Sequence, residues 1–174
     1  KGNKLELRAW KNGTYTLYRA SGKTENVEVA EIPVPINLEG PWRVRFHPNR
    51  GAPDEVQFDS LISWHKHPDP GIHYFSGTAT YSADFELPEN FLKENTETWL
   101  DLGKVAVIAE VRINGKDMGV LWNRPFRIEL SKVLRSGANT LEIGVTNLWI
   151  NRLIGDEQYP DDCDWSEGNY LNKW

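Results

Sequence analysis

Hydrophobic positions recur at every second residue over most of this chain. The clearest run places Ala79, Tyr81, Ala83, Phe85 and Leu87 on one side and Thr78, Thr80, Ser82, Asp84 and Glu86 on the other. A strict period of two predicts a strand with one face in a core and one in water. Trp42, Val44 and Phe46 alternate with Arg43, Arg45 and His47 in the same way. The densest patterning runs from Val105 to Trp149. Val105, Val107, Ala109, Val111 and Ile113 share a face before Asn114-Gly115, a dipeptide suited to a two-residue hairpin because both central residues take φ > 0. Phe126, Ile128 and Leu130 share the next face, and Ser131 to Arg135 suits one helical turn. Ser136-Gly137-Ala138-Asn139 then turns the chain into Leu141, Ile143 and Val145. Parity carries Asn147 and Trp149 inward as that strand ends, and a buried amide there must find partners, so Asn147 is expected to pin a loop.

The first thirty residues predict three short strands, about Leu5–Trp10, Thr14–Arg19 and Asn26–Glu31, with turns at Asn12-Gly13 and Ser21-Gly22-Lys23. Pro33 and Pro35 lack ladder donors and break the pairing. This divides the chain into a β-meander over 1–32, too small to bury a core and read as the edge of a neighbouring domain, and a main domain over 33–174. Many short strands with regular turn signals and no long helix make that domain an all-β antiparallel sandwich or jelly roll. Ser60 to Ile72 is expected to be a long irregular connection.

A length of 174 residues fits one domain plus an appendage. The single cysteine, Cys163, excludes an internal disulfide framework. A net charge of −5 argues against nucleic acid or an anionic membrane as the main partner. No apolar run reaches the length of a membrane span, and no signal peptide opens the chain. The chain begins at Lys1 rather than a methionine and is expected to be an excised piece of something larger. Eight tryptophans and six tyrosines admit two readings, core filling or stacking on the apolar faces of sugar rings, and composition does not choose between them.

Candidate chemistry is sparse. His65 and His67, with His73 nearby, are the one cluster suggestive of a metal. No cysteine or glutamate completes the set, and Pro68 and Pro70 favour an irregular loop with hydrogen-bonded histidines. Asp156, Glu157, Asp161, Asp162 and Asp164 form an acidic run, but glycoside cleavage needs two carboxylates facing each other at a fixed separation. The run also lacks the glycine-centred spacing of an EF-hand, so no motif supports structural calcium and no cofactor is expected. No nucleophile elbow, phosphate loop or zinc motif occurs. The segment Asn147 to Asp156 differs in kind. Asn151, Arg152 and Asp156 alternate with Leu153 and Ile154 without strand period, as in a loop docked on the sandwich or on a partner.

At these residues a family resemblance appears. Trp42, Tyr74-Phe75-Ser76-Gly77-Thr78-Ala79-Thr80-Tyr81, Leu100-Asp101-Leu102-Gly103 and Val111-Arg112-Ile113-Asn114-Gly115 resemble the galactose-binding-like jelly roll of glycoside hydrolases. So do Gly119-Val120-Leu121-Trp122 with Pro125-Phe126, and Gly137-Ala138-Asn139-Thr140-Leu141. The sugar-binding domain of family 2 β-galactosidases and β-glucuronidases shares these turns. Thr146 to Asp156 is more similar to the C-terminal region of bacterial family 106 α-L-rhamnosidases, and the likeness spans about residues 26–174. The resemblance implies a non-catalytic carbohydrate-binding or ancillary domain of a secreted or periplasmic polysaccharide-degrading enzyme. The catalytic carboxylates would lie in a separate barrel, and further strands would follow Trp174. Expected partners are a plant-type polysaccharide and the catalytic barrel of the parent chain. If sugar binds, Trp64, Tyr74, Trp122 and Trp149 would supply rings. Asn123, Arg124, Asn151 and Arg152 would supply polar contacts, since planar groups offer paired donors to adjacent hydroxyls. The rival expectation is a structural module packed on the barrel by the same residues. A hydrolase acting through Asp156, Glu157 and Asp162 is the third.

Overall fold

A computed structural model describes residues 6–158 and, beyond them, the strands β11 (Asp164–Ser166) and β12 (Tyr170–Lys173). The chain divides into two compact units, residues 1–37 and 38–174.

The first unit holds an antiparallel hairpin of β1 (Gly13–Tyr18) and β2 (Thr24–Val29), in register from Gly13 against Val29 to Tyr18 against Thr24. Asn12 Oδ1 accepts the Ile32 amide at 2.8 Å across its open end. Residues 6–10 of the expected first strand carry no strand structure, although Leu7 and Ala9 alternate with Glu6 and Arg8. Alternation creates a strand only where a neighbour offers ladder partners, and none of the described residues of this unit offers a third row.

The second unit is built on a six-stranded antiparallel sheet in the order β4 (Glu55–Phe58), β3 (Trp42–Phe46), β5 (Thr78–Leu87), β10 (Gly137–Thr146), β7 (Ile108–Ile113) and β8 (Lys116–Leu121). Its inner face carries the alternating residues read from the sequence. Trp42, Val44, Phe46, Ala79, Tyr81, Ala109, Val111, Ile113, Leu141 and Ile143 are all buried in one core. A short second sheet pairs β6 (Trp99–Asp101) with β9 (Arg127–Glu129) and adds Leu100, Ile128 and Leu130 to that core. The result is an antiparallel β-sandwich around one core.

Two asparagines explain why the main turns hold. Asn114, at φ 52°, turns β7 into β8 and donates from Nδ2 to Val133 O and to Asn139 Oδ1, both at 2.9 Å. Asn139 is 2% exposed, and its amide donates to Arg135 O at 2.7 Å and Gly137 O at 2.9 Å. Its Oδ1 accepts the Arg135 amide at 3.0 Å as well as the Asn114 amide. All four hydrogen-bonding positions of this buried side chain are therefore filled, as burial in an apolar core demands.

The connection between β4 and β5 is more ordered than its composition suggested. It contains a 3₁₀ turn at Trp64–Lys66 and a single helical turn, α1 (Pro70–His73). Asp69 caps α1 by accepting the Gly71 amide at 2.7 Å, with Pro70 in the first helical position. Gly71 lies directly against the Gly51 carbonyl, where a Cβ has no room.

Candidate functional site

Register fixes which loops meet. Phe46, Ala79, Val145, Ala109 and Leu121 form one row across the sheet. The exits of β3, β8 and β10 and the entries of β5 and β7 therefore lie at the same end. Trp122 and Asn147 leave that end two strand spacings apart, roughly 10 Å in backbone.

Asn147 holds this end together as expected. Its Oδ1 accepts the Gly77 amide and its Nδ2 donates to Phe75 O, both at 2.9 Å, while its own amide donates to Gly77 O at 3.2 Å. Beyond Asn147 the segment is not a loop. Residues Ile150–Asp156 form a helix, α2. The signal was present in the spacing of Trp149, Ile150, Leu153 and Ile154, which fall at helical intervals on one face.

The helix sits on the sandwich by its other face. Gly155 is its one buried residue, pressed against the Tyr74 ring, and Asn151 and Arg152 are half-buried. Ser76 Oγ donates to Leu148 O at 3.1 Å and accepts the Arg152 amide at 3.0 Å. The Tyr74 hydroxyl donates to Gln158 Oε1 at 2.6 Å, and Arg152 Nε pairs with Asp156 Oδ1 at 2.7 Å one turn on. The apolar residues point away. Leu148 is 61% exposed, Trp149 70%, Ile150 56%, Leu153 54% and Ile154 45%. This inverts the usual surface helix, which buries its apolar stripe and wets its polar one.

The sequence-predicted site residues therefore do not converge. Trp64 is a core residue at 6% exposure, between Phe46 and Phe75 in edge contacts at 5.7 and 5.4 Å. Its Nε1 donates to the buried Tyr81 hydroxyl at 2.6 Å, and burial pushes the pKa of that hydroxyl up against the pull of the indole N–H. It offers no ring face to a ligand, because the hydrophobic gain of burying an indole whose N–H has a partner exceeds that of leaving it in a loop. Tyr74 is half-buried beneath Gly155. Trp149 does not turn inward, since β10 ends at Thr146 and the strand parity ends with it. Trp122 is 70% exposed, and Asn123 and Arg124 are exposed beside it. Ser76, Leu148 and Ile150, quoted only within longer segments, and Gln158, not singled out at all, also take part at this end of the sheet.

The other candidates resolve locally. His65 Nδ1 lies 2.9 Å from Ser63 Oγ, while His67 accepts the Asp69 amide at 3.1 Å and stacks on Phe58 at 5.2 Å. No group of three metal-ligating side chains assembles among the described residues. In the acidic run, Asp156 is paired with Arg152, and Asp161, Asp162 and the Asp164 side chain lie outside the described residues. A polar concavity on the outer face of the sheet, lined by Arg43, Glu55, Gln57, Ser82 and Asp84, includes none of the predicted site residues. No helix among the described residues is long and apolar enough to cross a membrane.

Comparison with known proteins follows this geometry. Residues 59–172 match a family model described as the glycosyl hydrolase 2 galactose-binding domain-like family. A Formosa agariphila protein with a provisional beta-glucuronidase name is 47% identical over 152 residues, which cover 87% of this chain and 13% of that protein. The structure of a rhamnosidase from Novosphingobium sp. PP1Y is 36% identical with a TM-score of 0.71, over 92% of this chain and 14% of that one. A beta-glucuronidase of Ruminococcus gnavus shares the fold at 22% identity and a TM-score of 0.53, over 63% of this chain and 20% of its own.

Proposed function

Since the chain belongs to the glycosyl hydrolase 2 galactose-binding domain-like family, we propose that it is a non-catalytic accessory domain of a larger glycoside hydrolase of rhamnosidase type, touching carbohydrate at Trp122, Asn123 and Arg124. One observation carries the reading: nearly the whole chain aligns with the Novosphingobium rhamnosidase at 36% identity, yet spans 14% of it. The rest of such an enzyme has ample length for a catalytic domain. The carbohydrate contact rests on Trp122, whose ring is 70% exposed where the chain leaves β8, beside an amide and a guanidinium. An exposed indole covers the apolar face of a pyranose, and the two planar groups reach its hydroxyls.

Calorimetric titration with rhamnose-containing and uronic-acid-containing oligosaccharides tests the contact. Binding that disappears in Trp122→Ala supports it, and absence of heat with every glycan refutes it. Activity is tested separately: the chain alone should leave a chromogenic rhamnoside intact, while the complete enzyme cleaves it. A second reading, a buttress without sugar affinity, is favoured by the outward apolar face of α2.

A further inference from the structure

We propose that the outward face of α2 is an interdomain docking surface, and that its occupant is another domain of the same polypeptide. The proposal deepens the buttress reading and rests on the chain being one domain of a larger enzyme.

The argument begins with how α2 is held. A helix with apolar residues at 149, 150, 153 and 154 and polar or small ones at 151, 152 and 155 would by itself bury the apolar side. Here Asn147, Ser76 and the Tyr74–Gly155 contact fix the opposite orientation through directed bonds. Gly155 is required for it. A Cβ there would stand 2.8 Å from Tyr74 Cβ and Cγ, so the helix lies closer to the sandwich than any other residue permits. The fold thus secures the polar face inward and holds five large apolar side chains in water. Exposure of that kind costs free energy in the isolated domain and is offset only when something covers the patch.

Tethering selects the occupant. At exposures of 45–70%, the five side chains present on the order of 500 Å² of apolar surface. A typical interface between separate chains buries roughly 800 Å² on each partner, about 60% of it apolar, so the patch has the size for either kind of occupant. Separate chains must also overcome lost translational and rotational freedom. A tethered domain escapes most of that cost through its effective concentration, so smaller contacts suffice. Of a tethered neighbour and a second copy offering the same contact, the tethered one therefore covers the patch first. Such a neighbour has length to come from, since the aligned region is 13–14% of the Formosa agariphila and Novosphingobium proteins. It must present an apolar groove without buried charge opposite Leu153 and Trp149.

Hydroxyl-radical footprinting of the complete enzyme and of the 174-residue chain tests this. Oxidation of Trp149 should be slower in the complete enzyme by about fivefold, the ratio between its 70% exposure here and the burial found at an interface centre. Leu153→Glu should return Trp149 to fast oxidation in the complete enzyme and leave the melting temperature of the chain alone unchanged. Equal oxidation in both forms would overturn the proposal. So would protection that survives Leu153→Glu, or protection in the chain alone that grows with its concentration, which would mark a second copy as the occupant. A complete enzyme that hydrolyses no glycoside would instead refute the functional reading and leave the footprint to decide docking.

Discussion

Replacing Gly155 by alanine sets two effects of opposite sign against each other at the one buried position of α2. Alanine stabilises a helix interior by about 1 kcal/mol relative to glycine, through the entropy of the unfolded chain. Against this, the new methyl would lie 2.8 Å from both Tyr74 Cβ and Cγ and 3.2 Å from Cδ1. Those atoms belong to the stem of a side chain whose hydroxyl is bonded to Gln158, so they cannot swing clear without breaking that bond. Ordinary carbon contacts are near 3.5–4.0 Å, so α2 must lift by about 1 Å, at the overpacking cost of roughly 1–3 kcal/mol. Lifting also stretches the bonds from Ser76 to Leu148 and Arg152, each contributing about 1 kcal/mol. The balance is a loss of roughly 1–3 kcal/mol in the docking of α2, or about a five- to hundredfold fall in amide protection over 150–158. The strands β5 and β10 should keep their protection, because α2 lies outside their ladder. Hydrogen exchange read by mass spectrometry distinguishes the two regions. Higher protection across α2 in Gly155→Ala would mean that helix propensity prevails and that the close approach to Tyr74 constrains nothing, which would refute this account of the inverted helix.

Two further outcomes follow from the same geometry. Trp64→Phe should lower stability by about 1–3 kcal/mol, because the buried Tyr81 hydroxyl loses its 2.6 Å partner; denaturant unfolding reads the loss, and a change in glycan affinity without one would return Trp64 to a binding role. Acid should weaken the small second sheet. The Asp101 carboxylate is held below its ordinary 3.8 by the Gly103 amide and then by Arg127, and Glu129 below its ordinary 4.5 by Ser131. Depressed folded values mean stability that is complete above those ordinary values and lost as pH falls through the lower folded ones. Asp101 is exposed and Glu129 only half-buried, so the slope is shallow. A melting-temperature profile into acid should be flatter in the double variant Asp101→Asn with Glu129→Gln, and an unchanged profile would count against these two groups.

The local pattern of this chain was sufficient for its sheet. Alternation along Thr78–Leu87 and Gly137–Thr146, the Asn114-Gly115 turn and the buried amide of Asn147 are properties of neighbouring residues, and the strands, turn and pin stand where those properties put them. The second unit's layers follow, since residues of one parity must be covered. Three things were decided only by the tertiary structure. Trp64 and Trp122 are alike as residues in loops, yet one fills the core beside Tyr81 and the other stands in water. Burial depends on which segments the topology brings over a position, and that is not encoded at the position. The stretch from Leu5 to Trp10 alternates in sequence at Leu5, Leu7 and Ala9, but residues 6–10 form no strand. The apolar stripe of α2 has helical spacing that could serve its own core or another's. The contact of Gly155 with Tyr74, between residues 81 positions apart, together with the bonds of Ser76 to Leu148 and Arg152, turns that stripe outward.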